Sequence, residues 1–247
     1  MIDAYFGAIW VSTLVNIGVA CGLWFLLGKE KACHDHCEKL PTLKESFDVL
    51  KLAVIWIISI ILFCTYTLHV GMTFFTPYLT SSFGLSDDAS GSLTLIRSYV
   101  FMSFIPITGL ITDRLFKSTL KWFLVVCPVV ALILFAVILL GADRDFSSIE
   151  IGLSMLVAFF VCSIYASMFS ILSECQIPIA VAGTAIGLVS IFSYTPDTIM
   201  LPLFGYFADT NQYHFIFLSL IIMALLSGLL SLILLAMKRK NQVKSHG

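Results

Sequence analysis

Five polar side chains recur at helical spacing inside a strongly apolar stretch of the sequence. They stand three or four residues apart, so in a helix all five share one face; they are Tyr66, His69, Thr73, Thr76 and Thr80. Aligned hydroxyl and imidazole groups can bind a polar solute in otherwise apolar surroundings. The stripe therefore predicts a polar lining along one helix.

Two charged residues, Arg97 and Asp197, interrupt other apolar stretches. A charge at the centre of a bilayer costs about 2.5–3.5 kcal/mol on insertion scales, so such residues face the protein interior and pair or bind ions. With His69 they lie at a similar depth, roughly 12–15 Å from the nearer end of their stretches. The guanidinium of Arg97 suits a carboxylate, phosphate or other oxyanion. His69 and Asp197 can both titrate and carry a coupling proton.

Ser190 and Tyr194 share the helical face of Asp197 and add hydroxyl groups. A structural interpretation remains open beside the solute-binding one. In it, Arg97 and Asp197 pair with each other and pin two helices, and His69 is a core histidine bonded to a neighbour. Asp197 can also cap the helical segment that follows it.

The elements that position these residues follow from composition. The chain has 247 residues, of which 59% are hydrophobic and 12% charged, against about 25% charged in an ordinary soluble domain. The apolar residues form runs of about 20 residues or more, the length that crosses ~30 Å of hydrocarbon. This excludes a soluble enzyme, a nucleic-acid-binding protein and a secreted disulfide scaffold. We predict an all-α membrane protein with seven transmembrane helices, called spans one to seven, over residues 4–28, 52–79, 89–112, 122–141, 151–173, 177–207 and 213–237.

Lysine and arginine predict the orientation. Twelve of the fourteen fall on one side, in residues 29–51, in the loop after span three and in the tail, whereas only Arg144 falls on the other. The positive-inside rule then places the N-terminus outside and the C-terminus in the cytoplasm. The predicted location is a bacterial plasma (inner) membrane. The predicted organisation is a single helix (1–28), a cytoplasmic loop with a short interfacial helix (29–51), a six-helix bundle (52–237) and a basic cytoplasmic tail (238–247).

Spans three and six end alike. Pro106 to Asp113 and Pro202 to Asp209 both read P-x-x-G-x-x-x-D, and they lie 96 residues apart. The first ends in the cytoplasm and the second outside, so spans two to four and five to seven form two three-helix units of opposite topology. Inverted repeats are typical of secondary transporters. Chance is the alternative, because membrane helices are enriched in proline and glycine.

The loop after span three resembles the signature loop of the major facilitator superfamily, G-x-L-a-D-R-x-G-R. Phe116 replaces the second glycine of that motif, and the matching residues are Gly109, Asp113, Arg114 and Lys117. A second stretch, Pro178 to Asp209, resembles the eleventh helix of bacterial members.

A typical member has twelve helices in two six-helix halves. By this resemblance span one corresponds to the sixth helix, residues 29–51 to the central loop, and spans two to seven to the C-terminal half with its inverted 3+3 repeat. The resemblance implies transport of a small solute by alternating access, with a proton or a sodium ion as the coupling ion. Because five helices of such a transporter are missing here, we expect a partial permease that is inactive without an N-terminal half or partner chain. A truncated or regulatory membrane protein that does not transport is the alternative, and a seven-helix receptor is a remote one.

The resemblance also implies a conformational latch at the cytoplasmic helix ends, formed by Gly109, Asp113, Arg114 and Glu174. Glu174, at the end of span five, lies on the same side as Arg114 and is expected to pair with it. The alternative is ordinary snorkelling of surface charges.

Three further features complete the predictions. The tract Cys33 to Cys37 holds metal-ligating side chains, but all of them fall within five residues and no second pair follows, so we predict a solvated loop and no metal site. Gly183 and Gly187 form a small-xxx-small pattern that predicts close helix packing. With no nucleophile–base motif and no phosphate loop, we expect neither an enzyme nor a cofactor. The expected partners are the lipid bilayer and a small solute; Arg97 points to an organic or inorganic anion.

Overall fold

The computed structural model describes residues 10, 13–14, 16–22, 24, 52–100, 105–141, 147–175, 177 and 179–245. The chain divides into two compact units, residues 1–40 and 41–247. The described residues of the first unit are helical. The predicted loop 29–51, with its interfacial helix and its Cys33 to Cys37 tract, lies outside the described residues.

The second unit is helical throughout its described part, which contains no strand. In chain order its helices are α1 (Ala53–Gly71), α2 (Phe75–Phe83), α3 (Asp87–Leu95), α4 (Ile105–Ile111), α5 (Thr119–Leu140), α6 (Ser147–Ser167), α7 (Ser170–Glu174), α8 (Ile179–Ser193), α9 (Pro196–Asp209) and α10 (Tyr213–Ser245). A 3-10 turn, Met72–Phe74, joins α1 to α2. Two π-helical turns follow α3 and α4, at Ile96–Val100 and Thr112–Phe116.

Five helical stretches are long and apolar enough to cross a membrane: Ala53–Phe83, Thr119–Leu140, Ser147–Ser167, Ala182–Asp209 and Tyr213–Arg239. They coincide with the predicted spans two, four, five, six and seven, whose ends differ from these by up to six residues. Spans one and three fall partly outside the described residues, so the total of seven and the inverted repeat remain predictions. In its described residues the chain is an all-helical membrane protein.

Helix α1 forms the centre of the second unit. It packs against α6, α8, α9 and α10, while α5 packs against α6 and α10. Most residues of α1 are buried, as expected for a strongly apolar helix inside a bundle, whereas Trp56 and Ile60 are exposed. Its buried hydroxyls bond carbonyls one turn earlier on the same helix: Ser59 to Ile55 and Thr65 to Ile61, both at 2.8 Å. Polar residues therefore enter this core without leaving unpaired hydroxyls.

Glycine lets the end of α1 pack closely against α10. A Cβ atom on Gly71 would collide with the side chain of Leu220 on α10. The pattern Gly183–Gly187 behaves differently, since a Cβ at either position would meet no described atom within 4 Å. The packing predicted from that pattern is therefore not made within the described part of the chain.

Three helix ends correspond to features predicted from the sequence: the break before Asp197, the loop after span three and the basic tail. Helix α8 ends at Ser193 and α9 begins at Pro196, a position where proline costs no hydrogen bond. After α4 the chain turns through Lys117, at a φ of 50°, whose N–H bonds the Thr112 carbonyl oxygen at 2.9 Å. Helix α10 continues to Ser245, so residues 238–245 of the predicted tail are helical.

Candidate functional site

A cavity of about 690 Å³ lies between α1–α2, the Arg97 turn and α6. Its walls are mostly apolar with a few polar groups, the usual character of a small-molecule site. The predicted residues His69, Thr73, Thr76 and Arg97 all line it, so three of the five residues of the sequence stripe meet the buried arginine in one place. The other lining residues are Met72, Pro77, Thr94, Ser98, Tyr99, Ile105, Ala158, Cys162 and Tyr165.

Arg97 is the cation of this cavity. The residue is only 6% exposed. Its Nη1 donates to the carbonyl oxygen of Met72 at 3.2 Å and to the hydroxyl of Thr76 at 3.3 Å, and its Cζ lies 5.7 Å from the ring centroid of Phe75. Nε and Nη2 have no hydrogen-bond partner among the described residues. One side of the guanidinium is thus anchored, while two buried nitrogen donors have no partner among the described residues.

The backbone at Arg97 is itself irregular. The residue sits in the π-helical turn Ile96–Val100, and such turns occur frequently at functional sites. Thr76 links the cavity wall together, because its hydroxyl lies 2.7 Å from that of Thr94. Thr73 lines the cavity, although its hydroxyl donates to the carbonyl oxygen of Val70 at 2.7 Å.

His69 lies flat against Tyr165 of α6. Their ring centroids are 4.2 Å apart and the ring planes differ by 5°. The Nδ1 atom of His69 has no hydrogen-bond partner among the described residues. Ring stacking is therefore the contact that the described residues show for His69, and the core-histidine alternative stays a prediction.

Asp197 belongs to a neighbouring tyrosine cluster. Its Oδ2 accepts a hydrogen bond from the Tyr66 hydroxyl at 2.7 Å, and the Tyr66 ring packs edge-on against Tyr194 with centroids 4.7 Å apart. Ser190 instead donates to the carbonyl oxygen of Ile186 on its own helix. None of these four residues lines the cavity.

Arg97 and Asp197 do not form an ion pair in the described part of the chain. Each has another partner. Arg97 bonds Met72 and Thr76, whereas Asp197 bonds Tyr66, which lies about two helical turns before Met72. The structural alternative, in which the two charges pin their helices together, is therefore not the arrangement of this structure. Asp197 is also not the N-cap of the segment that follows it, because α9 has Thr195 at that position and Asp197 in its first turn.

Glu174 lies at the predicted latch and has a different partner from the one expected. Its carboxylate accepts from the Ser118 hydroxyl at 2.6 Å and the Leu120 N–H at 3.2 Å, and it pairs with Lys238 of α10 at 3.2 Å. Burial opposes its ionisation, but these hydrogen bonds outweigh burial and hold the pKa of Glu174 below its ordinary value. The predicted pair with Arg114 is wrong because Lys238 and the first turn of α5 occupy the carboxylate.

The other three predicted latch residues make no such contact within the part of the chain that the structure describes. Asp113 and Arg114 are exposed in the second π-helical turn, and neither pairs with another residue of the described ranges. Gly109 lies on α4, where an added Cβ would meet nothing within 4 Å. The latch itself remains a prediction.

Sequence reasoning missed two groups that the fold brings into or near the site. Tyr165 and Cys162 line the cavity from α6, although neither residue type signals a polar lining in an apolar span. Ser163 of the same helix accepts a hydrogen bond from Trp122 at 3.2 Å. Glu150 was missed because span five was predicted to begin one residue after it, whereas α6 begins at Ser147.

Comparison with known proteins gives two relatives, both in Escherichia coli strain K12. The chain is 28% identical to inner membrane protein YihN over 212 residues, which is 82% of this chain and 49% of that protein. It is 22% identical to inner membrane protein YqcE over 201 residues, 79% of this chain and 47% of that protein. The chain is an integral inner-membrane protein. It spans about half the length of the curated relatives it matches, and neither a family model nor a solved structure matches it.

Proposed function

We propose that this chain is part of a secondary active transporter and that its cavity binds a small anion at Arg97. The observation that carries the proposal is the half-anchored guanidinium, buried in the cavity with two nitrogen donors facing no described partner. A buried cation is costly unless something pairs with it. A solute carboxylate, phosphate or sulfate would supply that pair through two parallel hydrogen bonds.

Further support comes from the helices around the cavity. All of its lining belongs to the second unit, and His69, Thr73 and Thr76 stand on the face that the sequence predicted to be polar. In the proposed mechanism a second bundle, from an N-terminal half or a partner chain, closes over the solute from the opposite side. Alternating access then carries the anion, coupled to a proton or sodium ion, in a membrane orientation with the C-terminus cytoplasmic.

Anion binding is the direct test. The full chain, purified in detergent, is titrated with sulfate, phosphate, lactate and a sugar phosphate, with glycerol as the uncharged control, and stabilisation against heat is recorded. At least one anion should raise the melting temperature, and glycerol should not. Arg97→Gln should weaken that binding roughly 10- to 100-fold, since a hydrogen bond to a charged group contributes about 1.5–3 kcal/mol.

Arg114→Gln is the matched control, because it removes the same charge at an exposed position away from the cavity. Equal loss of anion binding in both variants would show a general charge effect and contradict a site at Arg97.

Transport is tested separately by uptake of the bound anion into proteoliposomes. Loss of uptake in the Arg97→Gln variant supports transport through the cavity. Binding that depends on Arg97 without uptake, even with a supplied N-terminal half, would favour the non-transporting regulatory alternative.

A further inference from the structure

Glu150 is a buried acid that the proposed anion site does not use. It lies in the first turn of α6, the residue is 0% exposed, and neither carboxyl oxygen has a hydrogen bond of good geometry to a described residue. The hydroxyl of Tyr78 on α2 is the titratable group that lies close to it. Tyr78 is in turn covered by aromatic side chains, with its ring centroid 5.3 Å from that of Tyr213 and 4.9 Å from that of Phe217.

No cation of the described residues neutralises this carboxyl group. Of the elements packed against α6, the Arg97 turn carries a cation, but Arg97 faces Cys162, twelve residues or roughly 18 Å farther along α6. Helix α4 has no titratable side chain, and those of α1 and α5 do not interact with Glu150; they are Cys64, Tyr66, His69, Lys121 and Cys127. A carboxylate in such surroundings costs several kcal/mol, and a group of this kind takes up a proton instead.

We propose that Glu150 is a proton-binding site, held as the neutral acid while α2 and α6 are packed together and emptied when they separate. On release the O–H bond of the carboxylic acid breaks, the proton passes to water, and the carboxylate is left hydrated. A metal cation suits the site less well, because hard cations need about six oxygen ligands. The nearby Ser154 hydroxyl already donates to the Ile151 carbonyl oxygen, and the described residues hold no cluster of three or more metal-ligating side chains.

Helix α2 gives this site a physical link to Arg97. Over nine residues it carries Tyr78 beside Glu150 and, at its start, Thr76 and Phe75, which contact the guanidinium. Movement of α2 away from α6 therefore changes both places at once. If the proposed anion transport is correct, Glu150 is its coupling site, and the packed arrangement binds proton and anion together, so each favours the other.

Infrared spectroscopy tests protonation directly. The full chain is measured in an ester-free detergent, and the spectrum of Glu150→Gln is subtracted from that of wild type at neutral pH. We expect the difference to show the C=O band of a carboxylic acid. Glu174→Gln is the matched control: its carboxylate is charge-paired, so only carboxylate bands should disappear. A folded Glu150→Gln variant whose difference spectrum lacks the acid band would overturn the proposal.

If Glu150→Gln does not fold, wild type alone decides. A carboxylic acid band that persists at neutral pH and shifts in Tyr78→Phe supports the site, whereas a wild-type spectrum without that band overturns it.

Coupling between proton and anion is measured by the affinity for sulfate and lactate, whose charges are constant between about pH 6 and 8. Wild type should bind several-fold more tightly at the lower pH, and Glu150→Gln should lose this dependence. Binding independent of pH in wild type contradicts the coupling role, and no binding at any pH contradicts the proposed anion site while the infrared result stands.

Discussion

Glu174 joins the ends of three helices through one carboxylate. It stands at the end of α7, accepts two hydrogen bonds at the start of α5 from Ser118 and Leu120, and pairs with Lys238 near the end of α10. A carboxylate at a helix N-terminus also interacts favourably with the helix dipole. The ion pair contributes little, because the Lys238 side chain is about one third exposed and screened by solvent.

Glu174→Gln should therefore lower stability at neutral pH by about 1–2 kcal/mol, the value of a lost helix cap. Each kcal/mol corresponds to about 2–4 °C in melting temperature for a chain of this size. Because the folded pKa lies below that of the unfolded chain, about 4.3, the stabilisation is complete above that pH and is lost as pH falls through the lowered pKa. Melting curves of both proteins at neutral and acidic pH measure this.

Lys238→Gln is the control and should cost much less than Glu174→Gln. A larger loss in Lys238→Gln, or a difference between Glu174→Gln and wild type that grows on acidification, would contradict capping as the source of the stability.

At the same scale, the sequence could predict which residues share a helical face but not which partners they meet. Helical spacing was enough to place His69, Thr73 and Thr76 on one wall, and the cost of a membrane-buried charge marked Arg97. The partners of Asp197 and Glu174 could not be predicted, because Tyr66 and Lys238 are distant in sequence and only packing brings them close. Tyr165 was missed because an aromatic residue in an apolar span carries no signal of its own.

Among the helices, α1 controls the position of the site. It carries His69, and the 3-10 turn and α2 that continue it carry Thr73 and Thr76 of the cavity wall. Its hydrophobicity predicted a span but not its central place, which depends on the faces that other helices offer. Gly71 marks where α1 gives way to the 3-10 turn Met72–Phe74 and touches α10. A larger side chain there must displace Leu220, which is buried.

Gly71→Ala should destabilise the protein by about 1–3 kcal/mol, the usual cost of overpacking a core. It should also weaken anion binding, because the cavity residue Met72 follows directly. Leu220→Val in the same chain should recover part of the stability by making room. Melting curves and anion titrations measure both effects.

Gly187→Ala is the matched control, since a Cβ there meets no described atom within 4 Å. It should leave stability unchanged or slightly increase it, because alanine is the better helix former. If Gly187→Ala destabilised the chain as much as Gly71→Ala, the contact with Leu220 would not be the cause.

At the scale of the whole molecule, hydropathy was sufficient for the class of protein and for five spans, since crossing a bilayer requires long apolar helices with every backbone group bonded internally. Composition says less about the arrangement of those spans. The repeated P-x-x-G-x-x-x-D segments both end helical stretches, at Asp113 within a π-helical turn and at Asp209 at the end of α9. Their opposite orientation depends on which side of the membrane each end occupies.

Fusions to two reporters decide that question. Green fluorescent protein fluoresces in the cytoplasm, whereas alkaline phosphatase is active outside it. Because lysine and arginine concentrate on one predicted side, fusions after Lys117 and after Lys238 should fluoresce, and a fusion after Arg144 should have phosphatase activity. Phosphatase activity after Lys117 together with fluorescence after Arg144 would reverse the orientation. Equal reporter states at Lys117 and Arg144 would remove span four and, with it, the inverted repeat on which the proposed alternating access depends.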